Sequence, residues 1–370
     1  MVAVHEPRAW PKHREPDQPE SPWPAGTTVV SADSHFLEPL DWTDYLPPKY
    51  RDRGPRGYWD ETGFHMVADG FSLDNPGFPS EMIEGRAGMW DVELRIRDMD
   101  AEGISKDVLF PQRTMGVIRN DDHEFIAACF RAYNEIVMDY VEPHRDRLFP
   151  IGLLPFWDEA SVREGGAQLK ELGFKAMMMP TLPPGVFYNS RKLDGFWSAV
   201  EEVGLPLSFH VGETFDARGL GGLATTIVVA FGGFRRLWSL LTFSGILERH
   251  PSLRVVFTEG GIAWVPSALF EADKVYKAFE SEMNPRLAHP PSYYWFNNCY
   301  ATFMDDVPGL RQVDLMGADR IMWTYDYPHP ESTLGYTQES IQACFDAAET
   351  IEDGQRIVGR NAIDLWGLDD

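Results

Sequence analysis

The chain has 370 residues, 44% hydrophobic and 24% charged, a balance that builds a buried core rather than a disordered or fibrous chain. Its formal charge of −24 repels phosphate backbones and anionic lipid, and no Lys/Arg-rich stripe reverses it locally, so nucleic acid is excluded as an expected partner. Cys129, Cys299 and Cys344 are far apart and show no CxxC spacing, which argues against a disulfide framework or zinc knuckle and points to a reducing cytoplasm.

Residues 1–26 are polar and proline-rich with no apolar h-region; they read as a disordered tail, neither a secretory signal nor an anchor. Residues 27–370 read as one domain, in which eight short apolar runs alternate with longer segments of helical period. The runs cover 27–33, 104–111, 148–155, 174–181, 205–212, 253–260, 299–305 and 320–327, and several are apolar at nearly every position, as strands buried on both faces must be. Helices are expected at Asp121–Tyr140, Ala160–Leu172, Leu193–Val203, Phe234–Arg249 and Ala263–Phe279. No GxGxxG turn follows the first run, and eight strands are what closure requires; the expected fold is therefore an α/β (β/α)8 TIM barrel.

Two segments exceed the usual βα connection. Residues 38–89, rich in Pro, Gly and aromatics, read as an insertion serving as a lid or an oligomer contact, so a homo-oligomer is allowed. Residues 213–230, with Gly219, Gly221 and Gly222, read as a loop covering a pocket. The most apolar stretch, Leu223 to Phe231, is about half the ~18 residues needed to span a bilayer, and no membrane segment is expected.

The chemistry is carried by polar residues where apolar runs end. Asp33 and His35, two apart on the first run, point to one side. His210 ends the fifth run and Asp326 the eighth, which in a closed barrel lies beside the first. Two imidazoles and two carboxylates make a ligand set for a divalent transition metal such as Zn, Mn or Fe. Glu259 ends the sixth run in FTEGG and is read as a general base, a fifth ligand, or a bridge between two metals. His329, in DYPHP, is either a proton shuttle and substrate ligand or a loop histidine packed on prolines. Arg113, in FPQRT, is a candidate for a substrate carboxylate, with a structural salt bridge as the plainer reading. Singly, Asp33 could cap a turn and Asp326 could be a turn residue. Together they favour a metal, because burying such charges without a counter-ion is costly. His65, His123, His144, His250 and His289 read as surface or structural. No GxSxG elbow, P-loop or flavin fingerprint is present.

The segments VVSADSHFLEPLDWTDYLPPKYRDR, IRDMDAEGISKDVLFP, FHVGE, RHPSLRVVFTEGGIAWVPSALFEAD and DLMGADRIMWTYDYPHPEST resemble the amidohydrolase superfamily. The resemblance is to its amidohydrolase-2 branch, which includes aminocarboxymuconate-semialdehyde and resorcylate-type decarboxylases. It implies metal ligation by Asp33 with His35, His210 and Asp326. The chain departs from the branch in carrying Glu259 where a sixth-strand histidine is usual, and KAMMMPT lacks the Lys or Glu that bridges two metals in dinuclear hydrolases. The resulting expectation is a metal-dependent hydrolase or non-oxidative decarboxylase of a small cyclic or carboxylated metabolite. Glu259, Asp326 and His329 would be its catalytic groups. Two alternatives stand beside it: a di-iron monooxygenase, for which three carboxylates and two histidines would suit two Fe, and a non-catalytic metal-binding barrel.

Overall fold

The computed structural model describes residues 22–75, 77, 86–211 and 217–369. Most of the expected tail, part of the insertion and residues 213–216 of the expected pocket loop lie outside the described residues.

Eight parallel strands form the barrel wall: β1 (Val30–Ser31), β2 (Lys106–Pro111), β3 (Leu148–Leu153), β4 (Ala176–Met178), β5 (Leu207–His210), β6 (Val255–Thr258), β7 (Cys299–Phe303) and β8 (Ile321–Trp323). Each pairs with the next. Closure comes from the amide of Ala32, which donates to Trp323 O at 3.2 Å, and from that of His35, which donates to Tyr327 O at 2.7 Å. The strands are buried almost throughout, which explains their unbroken apolar sequences.

Four expected helices appear as His123–Val141, Glu159–Leu172, Asp194–Val203 and Trp264–Phe279. The first two start where Asp122 and Asp158 accept from the amides of Phe125 and Ser161, satisfying donors that have no intrahelical partner. The expected helix Phe234–Arg249 is instead two, Phe234–Phe243 and Ile246–Arg249, because Gly245 at φ 71° turns the chain between them.

The expected loop 213–230 also needs correction, since Gly222–Ala230 is helical. Its run LATTIVVA has only the adjacent Thr225 and Thr226 as polar residues, which mark no helical period from which a helix could be read. Gly222–Phe243 as a whole has the length and hydropathy of a membrane-crossing helix. It is nevertheless broken at Phe231–Gly233, with Gly232 at φ 108°, and Trp238 and Leu241 of its second half are fully buried in the core.

Within the insertion, Arg56–Asp60, Gly63–Ala68 and Phe71–Ser72 form an antiparallel sheet. A helix not expected from the sequence, Val92–Glu102, then leads into β2. It delivers Arg95, fully buried, against the start of the barrel. There the guanidinium donates to Asp107 Oδ2 at 2.7 and 3.0 Å, to His35 O at 2.6 Å and to Ser34 Oγ, and packs 4.4 Å from the Tyr327 ring centre. This cation ties the Ser34–His35 backbone, and therefore the site, to β2.

Candidate metal centre

The first and last strands end earlier than the apolar runs suggest. After Ser31 the chain bends and re-enters the sheet as His35–Phe36, pairing His35 with Phe110. Ser31 Oγ donates to Asp33 O at 2.7 Å and the Thr324 hydroxyl donates to the same oxygen, so the bend at Asp33 is held from both sides. Glu259 and Asp326 stand just past β6 and β8 with φ of 65° and 53°. Non-glycine residues rarely adopt this region, at a cost on the order of 1–3 kcal/mol each, and such strain gathers at functional sites. The amide of Glu259 donates to Thr302 Oγ1 at 2.9 Å, which helps hold its turn.

These bends bring the carboxylates and imidazoles together. His210 Nε2 lies 3.3 Å from Asp33 Oδ1, and His210 Nδ1 lies 3.4 Å from Glu259 Oε2. His35 Nε2 is 3.4 Å from Asp326 Oδ1 and 4.0 Å from Asp33 Oδ1. His329 joins them: its Nδ1 is 3.1 Å from Asp326 Oδ2 and 3.7 Å from Glu259 Oε1, and its ring stacks 4.1 Å from that of His35. Of the two readings of His329, the structure therefore favours the site over packing on prolines.

The donors fall into overlapping groups. Asp33, His35, His210 and Glu259 present ligand atoms within 4.8 Å of one another. His35, Asp326 and His329 form a second such group, and Glu259, Asp326, His329 and Glu331 a third. Asp326 thus faces His35 and His329 rather than His210. Glu331 and Gln112, whose Oε1 lies 3.3 Å from His329 Nε2, were not legible as site residues. The only sequence signal for them is placement, two residues from His329 and next to Arg113 respectively.

Arg113 is not part of this cluster. Its buried guanidinium has Nε 3.6 Å from Asp74 of the insertion, and its amide donates to Glu38 Oε1 at 3.0 Å. His65, His144 and His250 are likewise elsewhere, paired with Asp74, Glu93 and Glu201.

The electrostatics are those of a site short of positive charge. Burial, with Asp326 adding to it, pushes the Asp33 carboxyl up to about 6 and the Glu259 carboxyl up to about 8. Burial opposes the His210 cation, yet Asp33 and Glu259 outweigh it and push His210 up to about 9. Burial and the His329 charge bring His35 down to about 3. Asp326 lies below the usual carboxylate range, because His329 and His35 overcome its burial. Asp33 Oδ2, Asp326 Oδ1 and both ring nitrogens of His35 are buried without a hydrogen-bond partner. Orphaned acceptors and ring nitrogens at one point are what a cation's ligands look like, and buried polar groups otherwise find partners. The residues present therefore fit a divalent metal.

The family model of amidohydrolases, Amidohydro_2, matches residues 33–368. This chain belongs to the amidohydrolase family. It is accordingly an enzyme of the hydrolase or decarboxylase kind. Among curated proteins it is similar to a 2-amino-3-carboxymuconate-6-semialdehyde decarboxylase of Dictyostelium discoideum, 22% identical over 356 residues and covering 92% of each chain. Among solved structures it is similar to an amidohydrolase of Mycobacterium avium subsp. paratuberculosis, with TM-score 0.74 and 20% identity over 93% of this chain and 99% of that one. It is also similar to the manganese-bound 5-carboxyvanillate decarboxylase of Novosphingobium aromaticivorans, with TM-score 0.66 and 23% identity over 92% and 97% of the two chains. These likenesses bear out the expected barrel.

Proposed function

We propose that this amidohydrolase is a metal-dependent, non-oxidative decarboxylase of a small carboxylated, ring-bearing metabolite, with hydrolysis as the neighbouring reaction. The observation that carries the proposal is the buried donor cluster at one end of the barrel, with its orphaned atoms on Asp33, His35 and Asp326. The decarboxylases among its relatives, one of them with manganese bound, lend support.

Asp33, His35, His210 and Asp326 would hold the ion, and Zn, Mn or Fe suits such oxygen and nitrogen donors. When bound, a divalent ion supplies Lewis-acid polarisation of substrate oxygens. Burial raises the Glu259 carboxyl above the usual carboxylate range in the metal-free site, which suits it to carrying a proton toward the substrate. As the C–C bond to CO2 breaks, the electron pair stays on the substrate carbon and that carbon takes the Glu259 proton. His329 holds Asp326 through its Nδ1 and is itself held by Gln112. Arg113, buried against Asp74 next to Gln112, would anchor the insertion beside the site rather than the substrate, whose carboxylate goes to the metal. The insertion 38–89, which reaches this region through Glu38 and Asp74, is proposed as a lid.

The test is CO2 release, with simultaneous O2 monitoring, from a panel of hydroxybenzoates with and without long alkyl substituents and of muconate-type acids, incubated with metal-loaded enzyme. CO2 without O2 uptake is expected; turnover that consumes O2 would sink the proposal.

A second reading is favoured by one observation. Glu259 belongs both to the group with Asp33, His35 and His210 and to the group with Asp326, His329 and Glu331, as a carboxylate bridging two ions would. Such a carboxylate-rich pair of sites would suit two Fe and an oxidative reaction. Two irons per chain after growth in iron-supplemented medium, together with O2 uptake, would promote it.

A further inference from the structure

A cavity of about 620 Å³ opens beside the metal centre, between residues 181–189 that follow β4 and the helices Gly222–Ala230 and Phe234–Phe243 that follow β5. His210 and Val211 form part of its wall, so one candidate metal ligand lines both spaces. Thr181 Oγ1 donates to His210 O at 3.0 Å and ties the cavity's rim to the same ligand. Most of the remaining wall is apolar: Leu182, Val186, Val229, Phe234, Leu237 and Leu240. Among the described lining residues Arg236 is the one permanent cation and no carboxylate is present. Arg236 is solvent-exposed at the cavity's rim and makes no ion pair among the described residues, in a protein with a formal charge of −24.

A volume of that order, inside the roughly 300–1,000 Å³ of organic ligand sites, is far more than a single-ring acid needs once its carboxylate is at the metal. Apolar walls reward an apolar body by removing it from water, and they penalise any second charge that lacks a partner. A lone arginine on the wall tolerates an anion and disfavours a cation. We infer that this chamber holds an apolar extension of the substrate, so that the ring-bearing acid proposed above carries a long apolar substituent rather than being a bare single-ring acid. The inference rests on the metal-dependent reading above and narrows its substrate.

The test uses metal-loaded full-length protein and 1-anilinonaphthalene-8-sulfonate fluorescence, with decanoate, benzoate and decyltrimethylammonium as competitors. Decanoate should displace the dye saturably and bind at least ~10-fold more tightly than benzoate, because the additional methylenes leave water. It should also beat decyltrimethylammonium, against the protein's overall charge, and Arg236→Ala should narrow that preference. Val229 is 68% exposed, so Val229→Glu leaves the fold intact while placing a carboxylate on the wall. Because that carboxylate stays largely in water, it should weaken decanoate by about 3-fold at unchanged metal content, through lost apolar contact and repulsion of the acid. Benzoate binding as tightly as decanoate would overturn the inference. So would an unchanged decanoate affinity in Val229→Glu, including the case in which that variant only dissolves a dimer formed over this face. Failure of decanoate to bind with CO2 release intact would sink the chamber alone. Decanoate binding by a chain that takes up no metal would support the chamber and sink the catalytic reading.

Discussion

Replacing Arg95 by Met is expected to destabilise the barrel at its closure and loosen the metal centre from behind. Arg95 and Asp107 are both fully buried, and the guanidinium gives two hydrogen bonds to Asp107 Oδ2, one to His35 O and one to Ser34 Oγ. Met fills similar space but leaves Asp107 as a buried carboxylate whose remaining partner is the Tyr325 hydroxyl at 2.8 Å. Removing one member of such a pair costs about 3–5 kcal/mol, chiefly from the stranded charge. At roughly 2 °C per kcal/mol for a large chain, Tm should fall by about 6–10 °C. Asp107→Asn in the same background should recover part of the loss, because the stranded charge goes. By contrast Arg356→Ala, which removes only a half-exposed pair with Glu352, should cost no more than about 0.5 kcal/mol. Calorimetry reads the stability, and metal analysis should show weaker retention in Arg95→Met because His35 is released. A wild-type Tm and metal content in Arg95→Met would show that Arg95 secures neither the barrel closure nor the metal centre.

In metal-free protein His210 is raised from 6.5 to about 9 and Glu259 from 4.5 to about 8. A raised folded-state value contributes stability that is present below the unfolded value and is lost as pH rises through the folded one. These two groups should therefore lower metal-free Tm as pH rises, Glu259 between about pH 4.5 and 8 and His210 between about 6.5 and 9, whereas metal-loaded Tm should stay flat; a falling curve in both forms would show that other groups control it. Over the same range metal affinity should increase, because each ligand must shed its proton, and competition titrations with a chromophoric chelator would show it. Glu259→Gln keeps shape but removes the carboxyl proton, so turnover should drop about 10²–10⁴-fold at unchanged metal stoichiometry; a fall from two ions to one would instead identify a bridging ligand. Chelation should abolish activity and leave the far-ultraviolet circular dichroism unchanged, since the strands are held by an apolar core; loss of that signal would make the ion structural.

Much of this architecture is legible because burial on both faces forces apolar runs, and a polar residue ending such a run stands out. Asp33, His35, His210, Glu259 and Asp326 were all visible in this way. Their backbone was not: the runs ending at 260 and 327 look like continuous strand, while positive φ at Glu259 and Asp326 turns the chain out of it. Glu331 and Gln112 escape notice because they sit in irregular segments where no period assigns a face. Arg95 escapes for the opposite reason, since in VELRIRDMDAE it looks like any solvated helix charge, and only the burial of Asp107 beneath it reveals its task. The helix at Gly222–Ala230, which walls the chamber beside His210, is hidden because its few polar residues follow no helical period.

The cluster around Asp33, His35, His210 and Asp326 is proposed to hold a catalytic divalent metal. Metal binding there is tested most directly by mass-spectrometric metal content of the wild type, His210→Ala and the control His250→Ala, whose side chain is bonded to Glu201 away from the site. At least one transition-metal equivalent per chain is expected in the wild type and in His250→Ala, with a strong loss in His210→Ala that tracks lost turnover. Equal metal content in all three proteins, or none in any after metal-replete growth, would contradict that proposal.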